Sequence, residues 1–143
     1  MQVQSNAFEQ NRPIPRKYTC DGKNISPPLT FVDVPREAKS LALVVDDPEA
    51  VVGTFDHWIA WNLPPDIKEL SEGANVEIQG RNDYGVLRYK GPCPPSGTHH
   101  YRFKAYALDT MLDLPEGASK KELENAMQGH ILAEDELIGT YNR

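Results

Sequence analysis

Four segments of the chain have the hydrophobic pattern of β-strands. Residues 41–45 are apolar at every position, which is typical of a central strand covered on both faces. Residues 55–63 and 99–108 alternate with the short period at which successive side chains point to opposite faces of a sheet. Residues 130–141 predict a last strand, with a helix continued through Leu132 as the alternative. The chain is therefore predicted to be rich in β-structure.

The same alternation predicts which side chains face the core. It places His57 with Ile59 on the second strand, and it places His99 with Tyr101 on the third strand while His100 points outward. A single inward histidine is more often a core residue than a ligand-binding residue. Two inward histidines beside an acidic loop favour a binding site.

One helix is predicted near the C-terminus. Ser119 and Glu122 have the spacing of a capping box, in which each side chain accepts a hydrogen bond from the backbone of the other residue. Leu123 and Met127 supply a short apolar face, and Gly129 provides the C-terminal stop.

The remaining segments predict turns and loops. Residues 11–28 are rich in proline and should form an extended loop with a turn at Asp21 and Gly22. Residues 65–70 predict a short helical turn. No internal repeat or linker-like change in composition interrupts the chain, so residues 1–143 are predicted to form a single domain.

Charge and composition narrow the classes of function. The 15 Lys and Arg residues against 21 Asp and Glu residues give a net charge of -6, which argues against the basic surface that nucleic-acid binding requires. No segment approaches the roughly 18 apolar residues of a membrane-spanning helix. The first residues also lack the basic and apolar regions of a signal peptide. We therefore expect a cytoplasmic protein with no nucleic-acid partner and no membrane span.

Cys20 and Cys93 are predicted to remain free thiols. Cysteines in a reducing compartment usually stay reduced, and neither residue belongs to the CxxC pair that zinc sites commonly use. A single internal disulfide is the alternative.

Three short motifs contain almost every residue suited to chemistry: DDPEA (46–50), FDHWIAWNLP (55–64) and GPCPPSGTHHYRFKAYALD (91–109). In this order and at this spacing they resemble the phosphatidylethanolamine-binding protein family, specifically its bacterial and archaeal branch of Raf kinase inhibitor-like proteins. The segments IPRKYTCDGKNISPPLTF near the start and NAMQGHILAEDELIGTY at the end extend the resemblance over nearly the whole chain.

The resemblance implies both a fold and a site. The implied fold is predominantly β with short helices, and it has a large central antiparallel sheet packed on a smaller sheet. The implied site is an anion-binding pocket at one end of the fold, formed by Asp47, His57, Pro92, His99 and Tyr101. Its ligand would carry a phosphate, a phosphorylated head group or a carboxylate, and neither a cofactor nor a metal is expected.

The residue chemistry suits such a pocket. Burial lowers the pKa of a histidine and a neighbouring carboxylate raises it, so a nearby Asp47 would favour positively charged imidazoles near neutral pH. Backbone N–H groups of residues 96–98 would add donors if this loop forms an anion-binding nest. The alternative is that Gly97 only serves the turn.

The main hypothesis is a binding protein and not an enzyme, and it extends to modulation of a kinase or another protein partner. One alternative is a hydrolase with Ser96 or Cys93 as nucleophile and His99 as base. Others are a metal site formed by the aspartate and two histidines of the pocket, and a protease inhibitor that acts through an exposed loop. A homodimer with an interface at residues 137–141 is also expected.

Overall fold

The computed structural model describes residues 1–143 and is built mainly of strands. Eight strands, one α-helix and a 3₁₀ turn at Arg16–Tyr18 account for its regular structure. In chain order these are β1 (Gln2–Gln4), β2 (Arg12–Pro13), β3 (Leu29–Val32), β4 (Ser40–Ala50), β5 (Gly53–Leu63), β6 (Glu69–Leu70), β7 (Thr98–Leu108), α1 (Lys120–Met127) and β8 (Ile131–Asn142).

The strands form two sheets. The larger sheet has the order β2-β8-β7-β4-β5 and is antiparallel except for the short β2–β8 pair, whereas the smaller sheet has the order β1-β3-β6. This arrangement confirms the predicted fold class. Strand β8, which contains the predicted dimer segment, pairs with β7 and β2 of its own chain, and its Leu137 is buried in the core.

The larger sheet is covered on both faces. Its front face packs against the smaller sheet through a core that includes Leu43 and Phe103, together with Leu29 and Phe31 of β3. Its back face packs against α1 and the preceding loop, and this second core includes Leu123. Strand β4 lies between β5 and β7 and alternates between the two cores, which confirms that residues 41–45 form a central strand.

The structure corrects the predicted orientation of His57. His57 is an extra residue on β5, because its neighbours Asp56 and Trp58 pair with successive residues of β4. A bulge of this kind shifts the alternation by one position. His57 therefore points to the front face, where it contacts Tyr101, while Ile59 points into the back core.

The structure also corrects the prediction of free thiols. Cys20 and Cys93 form a disulfide that closes a separation of 73 residues. The fold brings the two loops together, since the Cys20 N–H donates to the Pro92 carbonyl oxygen at 3.1 Å. Disulfides are found mainly in oxidising compartments and in the intracellular proteins of hyperthermophiles. The prediction of free thiols was wrong because the fold brings together two cysteines that are distant along the chain.

The end of β4 is anchored on the back face by a buried ion cluster. Asp46 is 0% exposed; its Oδ1 accepts a hydrogen bond from Arg102 Nε at 2.7 Å, and its Oδ2 lies 3.2 Å from Lys104 Nζ and 3.3 Å from Lys120 Nζ. Lys120 Nζ is also 2.8 Å from Asp56 Oδ1. Burial alone would raise the pKa of Asp46, but the Arg102 hydrogen bond and the three positive charges hold it below its ordinary value.

The C-terminal helix has the predicted cap, but a second predicted helical turn is absent. The Glu122 N–H donates to Ser119 Oγ at 3.1 Å and the Ser119 N–H donates to Glu122 Oε1 at 3.0 Å, while Gly129 follows the helix with a positive φ of 83°. Residues 65–70 instead form a turn that leads into β6, which pairs with β3. No helix in the structure combines the length and the apolar character that a membrane crossing requires.

Removal of the disulfide should destabilise the protein. Closure of a loop of this length lowers the entropy of the unfolded chain, and we expect the double substitution Cys20→Ser and Cys93→Ser to reduce the free energy of unfolding by about 4 kcal/mol. Denaturant unfolding of the oxidised wild-type protein and the variant measures the difference. Reduced wild-type protein is the control and should match the variant. Equal stability of all three proteins would contradict the prediction.

Neutralisation of Asp46 should also be costly. Asp46→Asn leaves three cations around an amide and should cost about 3 kcal/mol, as expected when one partner of a buried ion pair is removed. The matched control is Asp109→Asn, since Asp109 forms an exposed ion pair with His130. This control should lose about 0.5 kcal/mol or less. Similar unfolding midpoints for the two variants would show that the buried cluster contributes no more than a surface pair.

Candidate functional site

A cavity of about 250 Å³ opens on the front face where β4, β5 and β7 approach a proline-rich loop. Its inner wall is formed by titratable and aromatic side chains, and its rim is apolar. The lining residues are Asp47, Ala50, Val51, Val52, Phe55, His57, Tyr84, Cys93, Pro94, Pro95, His99 and Tyr101.

Asp47 and His99 form a short hydrogen-bonded pair in this cavity. His99 Nδ1 lies 2.6 Å from Asp47 Oδ2, and Asp47 Oδ1 accepts a hydrogen bond from the Glu49 N–H at 2.8 Å. Asp47 is only 4% exposed, so these partners replace the water that the carboxylate loses on folding. Because the carboxylate accepts, His99 holds a proton on Nδ1 and leaves Nε2 for a ligand.

His57 is held by a backbone carbonyl group. Its Nδ1 lies 2.6 Å from the Lys90 carbonyl oxygen, which can only accept, so Nδ1 has the proton. Burial lowers the pKa of His57 below its ordinary value of 6.5, although the Lys90 hydrogen bond and the charge of Asp47 act in the opposite direction. His57 is therefore neutral at pH 7, with an unprotonated Nε2.

Aromatic rings surround the two histidines. Tyr101 meets His57 edge to face with the ring centroids 5.4 Å apart, and it stacks on His99 at 6.4 Å. Tyr84 packs edge to face against Phe55 at 4.9 Å and against His57 at 5.8 Å. Burial raises the pKa of both tyrosines, with a smaller contribution from the charge of Asp47, so both remain neutral hydrogen-bond donors.

The loop that holds Tyr84 over the cavity is organised by Asn82. Asn82 Nδ2 donates to the carbonyl oxygens of His57 and Arg88, and Asn82 Oδ1 accepts from the N–H groups of Tyr84 and Val86. All of these bonds are 3.2 Å or shorter. Sequence analysis missed Tyr84 as a lining residue, because the position of this loop depends on a hydrogen bond from Asn82 to His57, which is distant along the chain.

The structure brings together four of the five predicted site residues. Asp47, His57, His99 and Tyr101 line one cavity, whereas Pro92 lies outside the lining. The proline wall is formed instead by the residues that follow Pro92, including the disulfide-bonded Cys93.

The predicted anion-binding nest is not present at residues 96–98. The Gly97 N–H donates to the Arg143 carbonyl oxygen at 2.8 Å, and the Arg143 N–H donates back to Gly97 at 3.1 Å. Gly97 has a positive φ of 79°, so it serves the turn, which was the alternative interpretation.

Two alternative chemistries do not match the geometry. The predicted hydrolase needs a nucleophile beside His99, but Cys93 is in the disulfide and Ser96 is exposed outside the lining. A metal site needs several converging ligands, and no three or more His, Cys, Asp and Glu side chains in the structure are arranged in that way. The Asp47–His99 pair remains available for binding.

Comparison with known proteins identifies the family. The sequence profile described as phosphatidylethanolamine-binding protein matches residues 4–142. The chain belongs to the phosphatidylethanolamine-binding protein family. A UPF0098 protein of Methanothermobacter thermautotrophicus is 51% identical over 100% of this chain and 99% of the relative, and another from Pyrococcus horikoshii is 52% identical over 97% of this chain and 75% of the relative. These names assign no enzymatic activity.

Two solved structures of this family share the fold. A phosphatidylethanolamine-binding protein homologue, CT736 of Chlamydia trachomatis, superposes with a TM-score of 0.97 at 51% identity and covers 99% of this chain and 97% of its own. Escherichia coli YbcL, described as a new member of the mammalian family, gives a TM-score of 0.91 at 31% identity, with 99% and 98% of the two chains covered.

The buried state of His57 should make stability depend on pH. Because its pKa is lower in the folded chain than in the unfolded chain, its contribution is complete above pH 6.5 and is lost as the pH falls below that value. We expect His57→Gln to lose less stability than wild type between pH 7.5 and pH 5.5, as measured by denaturant unfolding. The exposed His130→Gln variant is the control and should follow wild type. A wild-type pH profile in His57→Gln would contradict this assignment.

Proposed function

We propose that the cavity binds one small anionic group, a phosphate, phosphorylated head group or carboxylate. The observation that supports this proposal is the pairing of the buried Asp47 with the half-buried His99, beside the buried His57. In both rings Nδ1 is committed to a protein acceptor, so both Nε2 atoms are left for a ligand. An imidazole Nε2 that holds a proton donates to an oxyanion, and two such groups in one cavity suit a single anionic group.

The charge state of His57 sets a condition on binding. An unprotonated Nε2 presents a lone pair, which repels an anion. His57 must therefore take up a proton when a fully ionised anion binds, or the ligand must supply a hydrogen at that position. Binding of a permanent anion should in consequence become tighter as the pH falls.

The shape of the cavity suits a head group and not a whole lipid or peptide. Its volume of about 250 Å³ is lined in part by aromatic rings, and its rim includes Val51 and Val52, each 87% exposed at the hairpin between β4 and β5. The charged part of a ligand would occupy the interior, and any apolar part would extend out of the cavity past these valines.

The biological setting remains part of the proposal. The resemblance to Raf kinase inhibitor-like proteins supports modulation of a kinase or another protein partner, and it also supports a dimer. The cytoplasmic location is a further prediction, and it requires that the Cys20–Cys93 disulfide persist there. None of these points is needed for the anion site itself.

Sulfate titration at several pH values tests the proposed site, since sulfate keeps its charge throughout the range. Between pH 8 and pH 6 we expect the affinity to rise by up to about tenfold for each pH unit, the limit for uptake of one proton. His57→Gln should reduce this dependence, and His99→Gln should weaken binding. Isothermal calorimetry in two buffers of different ionisation heat measures the proton uptake directly.

The exposed His130→Gln variant is the matched control and should bind sulfate like wild type. Parallel titrations with phosphorylethanolamine and acetate distinguish a phosphorylated ligand from a carboxylate. Sulfate binding that is unchanged in both His57→Gln and His99→Gln would refute the proposal.

A further inference from the structure

A second cleft of about 390 Å³ lies beside the first cavity, and no residue lines both. The buried residues Trp58 and Tyr89 form part of its lining. Loop residues 23–26, 73–75 and 88–90 form most of the remainder. The two sites are neighbours in the fold, because His57 lines the cavity while the adjacent Trp58 lines the cleft. None of the three motifs predicted this cleft as a site.

The cleft is basic although the protein is acidic. Lys23, Arg88 and Lys90 line it, and no Asp or Glu does. None of these three residues forms an ion pair with a carboxylate; Lys90 Nζ lies 4.8 Å from the centroid of the Tyr84 ring. The charge of Lys23 makes a minor contribution to lowering the pKa of Glu72, but Glu72 is already paired with Lys17 Nζ at 2.6 Å. The positive charge of the cleft is therefore not neutralised by a direct partner.

Neutral donors accompany these cations. Ser26 lines the cleft, is only 3% exposed, and its hydroxyl group has no hydrogen-bond partner in the protein while remaining in contact with solvent. Asn24 Oδ1 accepts from the Gly91 N–H at 2.7 Å, which leaves the Asn24 Nδ2 donor free. Because the Ser26 hydroxyl group and the Asn24 Nδ2 group have no partner in the protein, both are free to bond water or a ligand oxygen.

The cleft is also pre-formed by cross-links between its two loops. Besides the Cys20–Cys93 disulfide, Tyr89 Oη donates to the Tyr18 carbonyl oxygen at 2.7 Å. The loops approach so closely at Gly91 that a Cβ there would lie 2.1 Å from the same carbonyl oxygen. The backbone of both loops is therefore already in place before a ligand binds, which lowers the entropy cost of binding.

We infer that this cleft is a second binding site, for a small polyanion with at least two phosphate or carboxylate groups. Arg88 offers the planar guanidinium that binds such groups through two parallel hydrogen bonds, and Lys23 offers a point charge from the opposite loop. Separate cations on two loops match a ligand with more than one acidic group. This site is independent of the proposed anion cavity.

The two tryptophan indole N–H signals provide a direct test by NMR. Trp58 Nε1 donates to Gln79, which lines the cleft, whereas Trp61 Nε1 donates to Leu114 behind the sheet. Titration of the oxidised full chain with inorganic pyrophosphate, at constant ionic strength, should shift the Trp58 signal and leave the Trp61 signal in place. Arg88→Gln should weaken binding about tenfold, and Lys23→Gln should weaken it in the same direction.

The matched controls remove a positive charge elsewhere. Arg36→Gln and Lys39→Gln change exposed residues without ion-pair partners and should bind pyrophosphate like wild type. All four substitutions are at exposed positions, so thermal unfolding should show equal stability. Equal affinity of Arg88→Gln and Arg36→Gln would overturn the inference. Binding lost in His99→Gln but kept in Arg88→Gln would also overturn it, because pyrophosphate would then occupy the first cavity.

Parallel titrations with citrate and monophosphate define the ligand class. Tighter binding of pyrophosphate than of citrate would identify phosphoryl groups as the preferred ligand, and equal binding that depends on Arg88 would identify polyanions in general. Equal affinity for monophosphate and pyrophosphate would overturn the polyanion assignment.

Discussion

Two adjacent carboxylates at the end of the central strand β4 impose the constraint on which the rest of the structure depends. Asp46 and Asp47 are both buried, and the alternation of the strand sends them to opposite faces of the sheet. A buried carboxylate without partners is strongly unfavourable. The back face therefore supplies Arg102 and two lysines, and the front face supplies His99. The first set of partners fixes the strands, and the second set makes the candidate site.

The position of His57 follows from the same strand pairing. The bulge on β5 lets Asp56 approach Lys120 on the back face while His57 turns to the front beside Tyr101. Without the extra residue, the alternation would place His57 in the back core with Ile59. The bulge thus connects the ion cluster to the candidate site, since both use consecutive residues of the same two strands.

Loops complete both proposed sites, and hydrogen bonds and a disulfide hold them in place in addition to core packing by Tyr18 and Tyr89. Asn82 satisfies four backbone groups around the Tyr84 loop, and the Cys20–Cys93 disulfide joins the loop at the first cavity to the loop at the basic cleft. Because buried backbone groups must find partners, these loops have little freedom to rearrange. The same cross-links hold together the loops that contain Lys23, Arg88 and Lys90, which form a local cluster of positive charge in an acidic protein.

The sequence by itself determined the long strands, the capped helix and the family, because hydrophobic period, capping chemistry and ordered motifs are local properties of the chain. It also named Asp47, His57, His99 and Tyr101, which the fold brings into one cavity. Only the tertiary structure decided the orientation of His57, the disulfide, the partners of Asp46 and the position of Tyr84. Each of these depends on register or on contacts between distant segments, and a shift of one residue in pairing reverses a side chain without leaving a signal in local periodicity.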